Sequence, residues 1–564
     1  MSEASFKPWL KFYEPGVPET LAIPAHTLHA SLSNAAKKFP NNSAIIFFDS
    51  KMTYRELDEA ATRFAVALQK LGVKKGDRVM VYMPNTPQFV IAFYGILRAG
   101  AIVVPTNPQY VPRELAYQAT DSGAETVIAL TMNWKTIKEA RGQSPYKRII
   151  LCNIKEYFPP LLKFLFTVAK EKKEGHRPDV SGEQGVFDFQ TLLKTTGNLT
   201  PVEVNQNDVA VLGYTGGTTG VSKGAMLSHR NLVAQAVITL CWFTTSKPGE
   251  DVFMGALPLF HSFGMTCVMN TAVHNGAAMV LVPNPRDLPS VLKAAHKHRP
   301  TIFSGVPTMY ATINNFKDVK KYDLTSIKQC CSGAAPLPEQ VQLTFEATTG
   351  GKLVEGFGLT ETCSPTHINP LSGTRKIGTI GVPVPNTIAK IVHPETGADL
   401  PCGEIGEIAI QSPQIMLGYW NKPDETAKVM LPGNFFLTGD LGKMDEDGFF
   451  TVVDRKKDMF IVGGFNVYPR EIEEVLFKHP KVAEAAAVGI PDIQRGENIK
   501  AYIVLKPGET ATADEIIAYC RENLTRYKVP REVEFRDALP KTLVGKVLRR
   551  TLRDEELAKK AKDT

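Results

Sequence analysis

Residues 214–224 read Tyr214-Thr-Gly-Gly-Thr-Thr-Gly-Val-Ser-Lys-Gly224 and follow directly on the aliphatic strand pattern Asp208–Gly213. Gly216, Gly217, Gly220 and Gly224 let the backbone approach a ligand closely and expose successive N–H groups. Thr215, Thr218, Thr219 and Lys223 add donors, and a loop so built suits a polyphosphate. It is not a Walker A loop, because Lys223 is followed by Gly224 and not by Ser or Thr. Read alone, the stretch has a Gly/Thr-rich surface turn as its lesser alternative.

Working outward, the chain alternates helical and strand patterns from about residue 27. Leu57, Ala60, Ala61, Phe64, Ala65 and Leu68 recur at helical spacing. The runs Val79–Met83, Ile102–Pro105 and Thr126–Leu130 predict strands buried on both faces, which indicates an α/β architecture with a largely parallel sheet. From about 353 to 453 the texture changes to short strands with Gly, Pro and Asp turns, predicting a small β-barrel-like subdomain. Asp454-Arg-Lys-Lys-Asp458 interrupts the pattern. Beyond it, Pro469 opens a helix with Ile472, Val475 and Leu476 on one stripe. The strands Val482–Ile490 and Ile499–Leu505 follow, and Thr512-Ala-Asp-Glu515 reads as a capping box. The expected division is therefore 1–453 as a large N-terminal domain of two α/β subdomains plus the β-rich one, 454–458 as a hinge, and 459–564 as a small α+β lid.

Composition narrows the function classes. With 43% hydrophobic and 22% charged residues in 564 positions, the chain is neither disordered, collagen-like nor a membrane bundle. The net charge of +7 is mild and scattered, which does not argue for nucleic acid. Eight cysteines without a CxxC pair predict buried free thiols in a reducing compartment. No export signal is evident at the N-terminus and no apolar run reaches about 18 residues. The expectation is a cytoplasmic chain, at most peripheral on a membrane. The segment 160–173 bears on that point. Leu161, Leu162, Leu165, Phe166 and Ala169 fall on one helical face, with Lys163, Thr167 and Lys170 on another. This suits either an ordinary helix packed on the core or one lying on an anionic membrane surface.

The ordered motifs Tyr214–Gly224, Gly356-Phe-Gly-Leu-Thr-Glu361, Asp454-Arg-Lys-Lys-Asp-Met459, Gly464-Phe-Asn-Val-Tyr-Pro469 and Pro540-Lys-Thr-Leu-Val-Gly-Lys-Val-Leu-Arg-Arg550 resemble those of the adenylate-forming superfamily. That superfamily comprises acyl-CoA synthetases, luciferases and peptide-synthetase adenylation domains. Within it the chain looks most like bacterial long-chain fatty acid–CoA ligases, over nearly its whole length. The resemblance implies ATP, Mg²⁺, coenzyme A and a fatty acid as reactants, and it leaves a homodimer open.

It also implies residue roles. Thr215, Gly216, Gly217, Thr218, Thr219, Gly220 and Lys223 hold the β- and γ-phosphates. Thr360 meets the α-phosphate and Glu361 the Mg²⁺. Lys546 bridges the substrate carboxylate and α-phosphate in the transition state. Gly333, Ala334, Ala335 and Pro336, with Glu355, Gly356, Phe357 and Gly358, line the adenine slot, and Val452 packs nearby. Asp440 in Thr438-Gly-Asp-Leu-Gly442 clamps the ribose with help from Arg455. The lid turns about Lys457 and presents Gly463, Gly464, Phe465 and Asn466 to the CoA arm. Phe260, His261, Phe263 and Met265 border the acyl pocket. Some long-chain relatives carry an aromatic gate where this chain has Met265, whose flexible thioether can still line an apolar tunnel.

The alternatives are a medium-chain or aryl acid ligase, an acyl-AMP ligase, a luciferase-like oxygenase and a binder that kept the fold. The joint presence of Lys223, Glu361, Asp440, Arg455 and Lys546 speaks against the last.

Overall fold

The both-faces-buried runs assemble, in a computed structural model, into a seven-stranded sheet. Its order is Val186–Asp188, Arg148–Cys152, Thr126–Leu130, Arg78–Tyr82, Ile102–Thr106, Val209–Tyr214 and Gly224–Ser228. Every pair is parallel except the last, where Gly224–Ser228 returns antiparallel on Val209–Tyr214. The structure describes residues 7–215, 222–456, 458–462, 465–492, 496–542 and 547–560. Thr126–Leu130 and Ile102–Thr106 are buried along their whole length, as a parallel sheet covered on both faces requires. Beside it the helix Pro87–Arg98 is buried at every residue, which its nearly all-apolar sequence dictates. The predicted amphipathic helix runs from Tyr54 to Lys70, started by a Thr53–Glu56 capping box.

The second sheet joins Val252–Gly255, Ala278–Leu281, Ser43–Phe47 and Ser50–Thr53, parallel but for the final hairpin. Ile302 bridges Phe253 to Gln329, both in parallel, and so links this sheet to the parallel pair Gln329–Ser332 and Lys352–Phe357. Lys352–Phe357 lies at the start of the stretch read as β-rich. It instead completes an α/β sheet, because its partner strand is more than twenty residues away and its turn-rich neighbours hide that pairing. The antiparallel, half-barrel sheet opens at Ile388–Val392 and continues through Gly406–Gln411, Phe435–Met444 and Phe450–Arg455.

The C-terminal unit is α+β. Phe465–Val467, Phe460–Val462, Gly496–Leu505, Val482–Asp492 and Glu532–Phe535 form one sheet, packed by Pro469–Lys478 and Ala513–Asn523. Its core is its own: Ile472, Leu476, Val482, Ile499 and Ile516 are among the side chains it buries. Thr512 accepts a hydrogen bond from Glu515 N at 3.2 Å, the N-cap half of the expected box. The chain is thus an α/β protein with two parallel-rich subdomains, an antiparallel one and a small α+β C-terminal domain.

Two details depart from, or extend, the sequence reading. The helix begun at Pro160 ends at Ala169, and of the apolar face expected to act together only Phe166 is buried, held edge-on by Phe158 and His176. All eight cysteines are free thiols, Cys241 and Cys402 being half-buried and the rest buried. No helix among the described residues is long and apolar enough to cross a membrane.

Four histidines meet where the helix Leu28–Lys38 docks. His26 stacks on His274 at 5.9 Å, and His29 meets His229 edge-on at 5.8 Å. Leu28 N donates to His229 Nδ1 at 3.1 Å. Burial pulls His29 and His274 down to about 4 and His229 to about 3. Each folded value lies below the unfolded one, so the folded chain binds fewer protons across that interval. Stability is therefore full above about pH 6.5 and is lost as pH falls towards 4. The thermal midpoint should drop on acidification from about pH 7 to about 5, and His274→Asn should flatten that drop. An identical pH slope in the variant would discount the cluster.

Candidate active site

The glycine-rich stretch is the turn of the Val209–Tyr214/Gly224–Ser228 hairpin. Residues 216–221, and with them Gly216, Gly217, Thr218, Thr219 and Gly220, lie outside the described residues. The two stems are well tied. Thr215 N donates to Lys223 O at 3.0 Å and Ser222 Oγ to Thr215 O at 2.5 Å. Tyr117 Oη donates to Ser222 O at 2.7 Å, and Tyr214 Oη to Asp121 at 2.7 Å. Lys422 holds the other Asp121 oxygen at 2.6 Å. The loop thus leaves and re-enters one sheet edge between fixed posts. Lys223 itself is paired with Glu425 and sits 5.0 Å over the Tyr419 ring.

Gly213 brings this hairpin against the second motif. A Cβ there would fall 2.6 Å from Thr360 Cγ2, so only glycine lets the strand pass. Glu361, next to Thr360, is 9% exposed, and Tyr419 Oη donates to its Oε1 at 2.8 Å. Burial raises its pKa; Tyr419 and Arg455 oppose that, and Asp440 adds to it. Ser262 Oγ stands 3.4 Å from Thr360 Oγ1, which carries the contact on to the His261 loop. His261 Nδ1 accepts from Phe263 N at 3.3 Å, and burial pulls the imidazole down to about 4. The ring is therefore neutral near pH 7, and with Nδ1 accepting, Nε2 carries the proton. Phe260 is half-buried, while Phe263 and Met265 are buried. Met265–Asn270 forms a π-helical turn, with Thr271 Oγ1 donating to Thr266 O at 2.7 Å.

The motifs expected to line the adenine face the same place. A Cβ on Gly333 would meet the Phe263 ring at 3.1 Å and Gly356 O at 3.6 Å. Ala334 adopts a left-handed φ of 69°, the kind of strained backbone that gathers at ligand sites. Leu337 N donates to Glu355 Oε2 at 3.1 Å, and burial raises Glu355 to about 7. Phe357 pairs with His367 across the strands, their rings 6.0 Å apart. Ala335, Pro336 and Gly358 continue these two loops. Asp440 and Arg455 are cross-strand partners in the antiparallel sheet, with Arg455 Nε 3.3 Å from Asp440 Oδ1.

The hinge motif has a described frame around an undescribed centre, since Lys457 lies outside the described residues. Asp454 accepts from Arg455 N at 2.7 Å and from Arg470 N at 2.6 Å, while Arg470 Nη1 donates to Val452 O at 2.6 Å. The N-terminus of the lid helix Pro469–Lys478 therefore rests on the strand that carries Val452 and Arg455. Gly463, Gly464 and Lys546 lie outside the described residues. Phe465 and Asn466 open the strand Phe465–Val467, paired antiparallel with Phe460–Val462.

Tyr419, Glu425, Ser262 and Arg470 were not picked out in the sequence. Tyr419 and Glu425 stand in Gly418-Tyr-Trp-Asn-Lys-Pro-Asp-Glu425, where a turn before a Pro-started helix was the only local signal. Among the described residues no group of three His, Cys, Asp or Glu could hold a metal by itself. A single buried carboxylate behind the Tyr214/Gly224 hairpin stems fits Mg²⁺, a cation that one carboxylate can hold when phosphate oxygens and water would supply the remaining ligands.

An antiparallel hairpin carrying the glycine loop, a buried carboxylate behind it and a separate α+β unit resting on the adjoining sheet define a nucleotide-activating enzyme rather than a P-loop hydrolase. Residues 32–420 match the family model for AMP-binding enzymes, and residues 471–546 match that for the AMP-binding enzyme C-terminal domain. The chain belongs to this family. It is 43% identical to a long-chain-fatty-acid–CoA ligase of Bacillus subtilis (strain 168), over 98% of both chains. Among solved structures it is similar to the anthranilate CoA ligase AuaEII in complex with anthranoyl-AMP, with TM-score 0.83 and 28% identity, over 96% of this chain and 99% of that one. It is likewise similar to ATP-bound MatB from Rhodopseudomonas palustris, with TM-score 0.82 and 29% identity, over 94% and 99%.

Proposed function

We propose that the chain activates a long-chain fatty acid with ATP to an acyl-adenylate and transfers the acyl group to coenzyme A. The observation that carries this reading is 43% identity to a long-chain ligase over 98% of the chain, combined with a buried Glu361 joined through Tyr419 to Lys223. In the first step a carboxylate oxygen attacks the α-phosphorus, the bond to the bridging oxygen breaks, and pyrophosphate leaves. In the second step the CoA thiolate attacks the acyl carbonyl, AMP departs and the thiol proton passes to solvent.

The residues divide the work. Thr215, the loop 216–220 and Lys223 bind the β- and γ-phosphates, for which Lys223 exchanges Glu425 for phosphate oxygens. Thr360 orients the α-phosphate. Glu361 would hold Mg²⁺, whose charge offsets that of the triphosphate as the carboxylate approaches. Asp440 and Arg455 take the ribose. Gly333–Pro336, Glu355–Gly358 and Val452 take the adenine, with Phe357 against the base. Neutral His261 offers Nε2–H to the substrate carboxylate, and Phe260, Phe263 and Met265 flank the acyl chain. Lys546 adds the cation of the first step. The unit 459–564 then turns on the hinge 454–458 against 1–453, and Gly463–Asn466 receives the CoA arm. A cytoplasmic chain in peripheral contact with membrane suits an acid that partitions into bilayers.

Pyrophosphate release with ATP and Mg²⁺ is measured across acids from acetate to oleate plus coumarate, with and without CoA. Turnover should peak for long chains and yield acyl-CoA and AMP. Turnover confined to short or aromatic acids would overturn the substrate, and none with any acid would overturn the enzyme reading.

A further inference from the structure

Large apolar side chains are exposed singly along the described chain except at one place. In the helix Pro160–Ala169, Leu161, Phe164, Leu165 and Val168 are exposed by 72, 64, 52 and 73%. Their spacing of three, four and seven residues puts them on one stripe. Beneath the stripe the inward Phe166 packs on Phe158 at 5.4 Å, and Phe158 on Phe48 at 4.8 Å. Phe48 is itself exposed and held in a turn at φ 45°.

The helix is not loosely attached. Arg177 Nη2 donates to Thr167 O at 3.0 Å and Lys155 Nζ to Thr167 Oγ1 at 3.0 Å. The buried Glu171 joins Lys155 at 2.6 Å and Arg177 at 2.7 Å. Its opposite side is thus bolted down by polar contacts, and the stripe points outward because of them.

Charge selects the occupant. Segment 155–177 carries six Lys and Arg against three Glu. Lys163, Lys172 and Lys173 are exposed and form no ion pair among the described residues. A convex apolar stripe on a segment that carries an excess of unneutralised lysines matches an anionic lipid surface. Ten residues span only about 15 Å, half a bilayer core, so the helix lies in the interface rather than crossing it.

The location relates this helix to the candidate acyl site. Gln88 Nε2 donates to Asn153 O at 2.9 Å and to Glu156 at 3.0 Å, fixing the turn before the exposed helix. One turn away, Asn85 Nδ2 donates to Gly255 O at 2.9 Å and Leu257 O at 2.7 Å and accepts from Leu259 N at 2.8 Å. The base of the exposed helix and the loop leading into Phe260–Met265 therefore hang on the same end of Pro87–Arg98.

We propose that Pro160–Ala169 docks the chain on anionic bilayers, with Leu161, Phe164, Leu165 and Val168 in the headgroup–acyl boundary. Docking rests on the helix alone. That it supplies the acyl site from lipid rests on the long-chain reading as well.

The full chain is co-sedimented with vesicles of phosphatidylcholine alone and of phosphatidylcholine with phosphatidylglycerol. Binding should favour the anionic vesicles and weaken with salt. L161S/F164S/V168S should lower the bound fraction by roughly tenfold, and K163E/K172E/K173E should remove the anionic preference. Pyrophosphate release with a water-soluble medium-chain acid and the thermal midpoint should be unchanged in both variants, while turnover of vesicle-embedded oleate falls. Equal binding of the apolar variant and the parent, or no binding by the parent, overturns docking. So does a parent dimer in light scattering that the apolar variant splits, since a second copy would then be the occupant. Vesicle binding without oleate turnover would sink the long-chain reading and leave docking standing.

Discussion

Glu361→Gln lowers kcat/KM for adenylate formation by about 10³ while the thermal midpoint stays in place. The substitution is nearly isosteric, and an amide oxygen can still accept from Tyr419 Oη, so the buried contact at 2.8 Å survives. What disappears is the buried carboxylate charge that would hold a divalent cation beside Gly213 and Thr360. Partial charge does not replace it, because a buried site amplifies the difference between a carboxylate and a neutral amide. Pyrophosphate release titrated with Mg²⁺ should show a raised half-saturation as well as a lower plateau. Thioester formation from supplied acyl-AMP, which involves no triphosphate, should change little. A comparable fall in both half-reactions would sink the metal role.

Tyr419→Phe separates charge from its control. Burial raises the Glu361 pKa and the Tyr419 hydroxyl opposes that rise, so removing the hydroxyl raises it further. The active form is the carboxylate. The acidic limb of the adenylation pH profile should therefore move to higher pH in Tyr419→Phe, whereas in Glu361→Gln that limb should vanish. A purely structural Tyr419 would lower the plateau without moving the limb.

These two residues also mark where the sequence stops being legible. Thr126–Leu130 could be read residue for residue, because continuous β-branched and aliphatic runs have one good use, a strand covered on both faces. The strand that ends at Gly213 was legible as well, because its aliphatic run leads directly into a glycine cluster. Tyr419 was not. Its partner is 58 residues away and the contact exists only after the Gly224–Ser228 edge and the Leu417–Trp420 segment come together. The helix from Pro160 shows a different limit. Seven of its ten residues are apolar, so two overlapping stripes satisfy the helical period, and only the Phe158 and His176 rings decide that Phe166 goes inward. Lys352–Phe357 was misplaced for the same reason as any parallel strand: its pairing is non-local, whereas its turn residues are local.

Lys546→Ala should abolish adenylate formation, by roughly 10³ or more, and leave thioester formation from supplied acyl-AMP within about threefold. The asymmetry follows from how the flanks of Lys546 are anchored. Lys541 and Val547 form an antiparallel bridge and Leu548 N donates to Pro540 O at 2.8 Å, so the loop between them is closed at its base. Immediately beyond, Arg549 Nε donates to Glu473 at 2.8 Å and Nη1 to Asp458 at 3.0 Å. Asp458 adjoins Lys457, and Glu473 lies on the lid helix. If the lid turns about Lys457 as proposed, these contacts carry both flanks of Lys546 with it, so that Lys546 would meet the α-phosphate in only one orientation. A lysine that acts in only one orientation can matter to only one half-reaction. Lys457→Pro tests the converse, because fixing φ at the hinge should slow the second half-reaction and spare the first. Equal losses in both half-reactions for Lys546→Ala would mean that the loop supports the lid fold instead of supplying a transition-state cation.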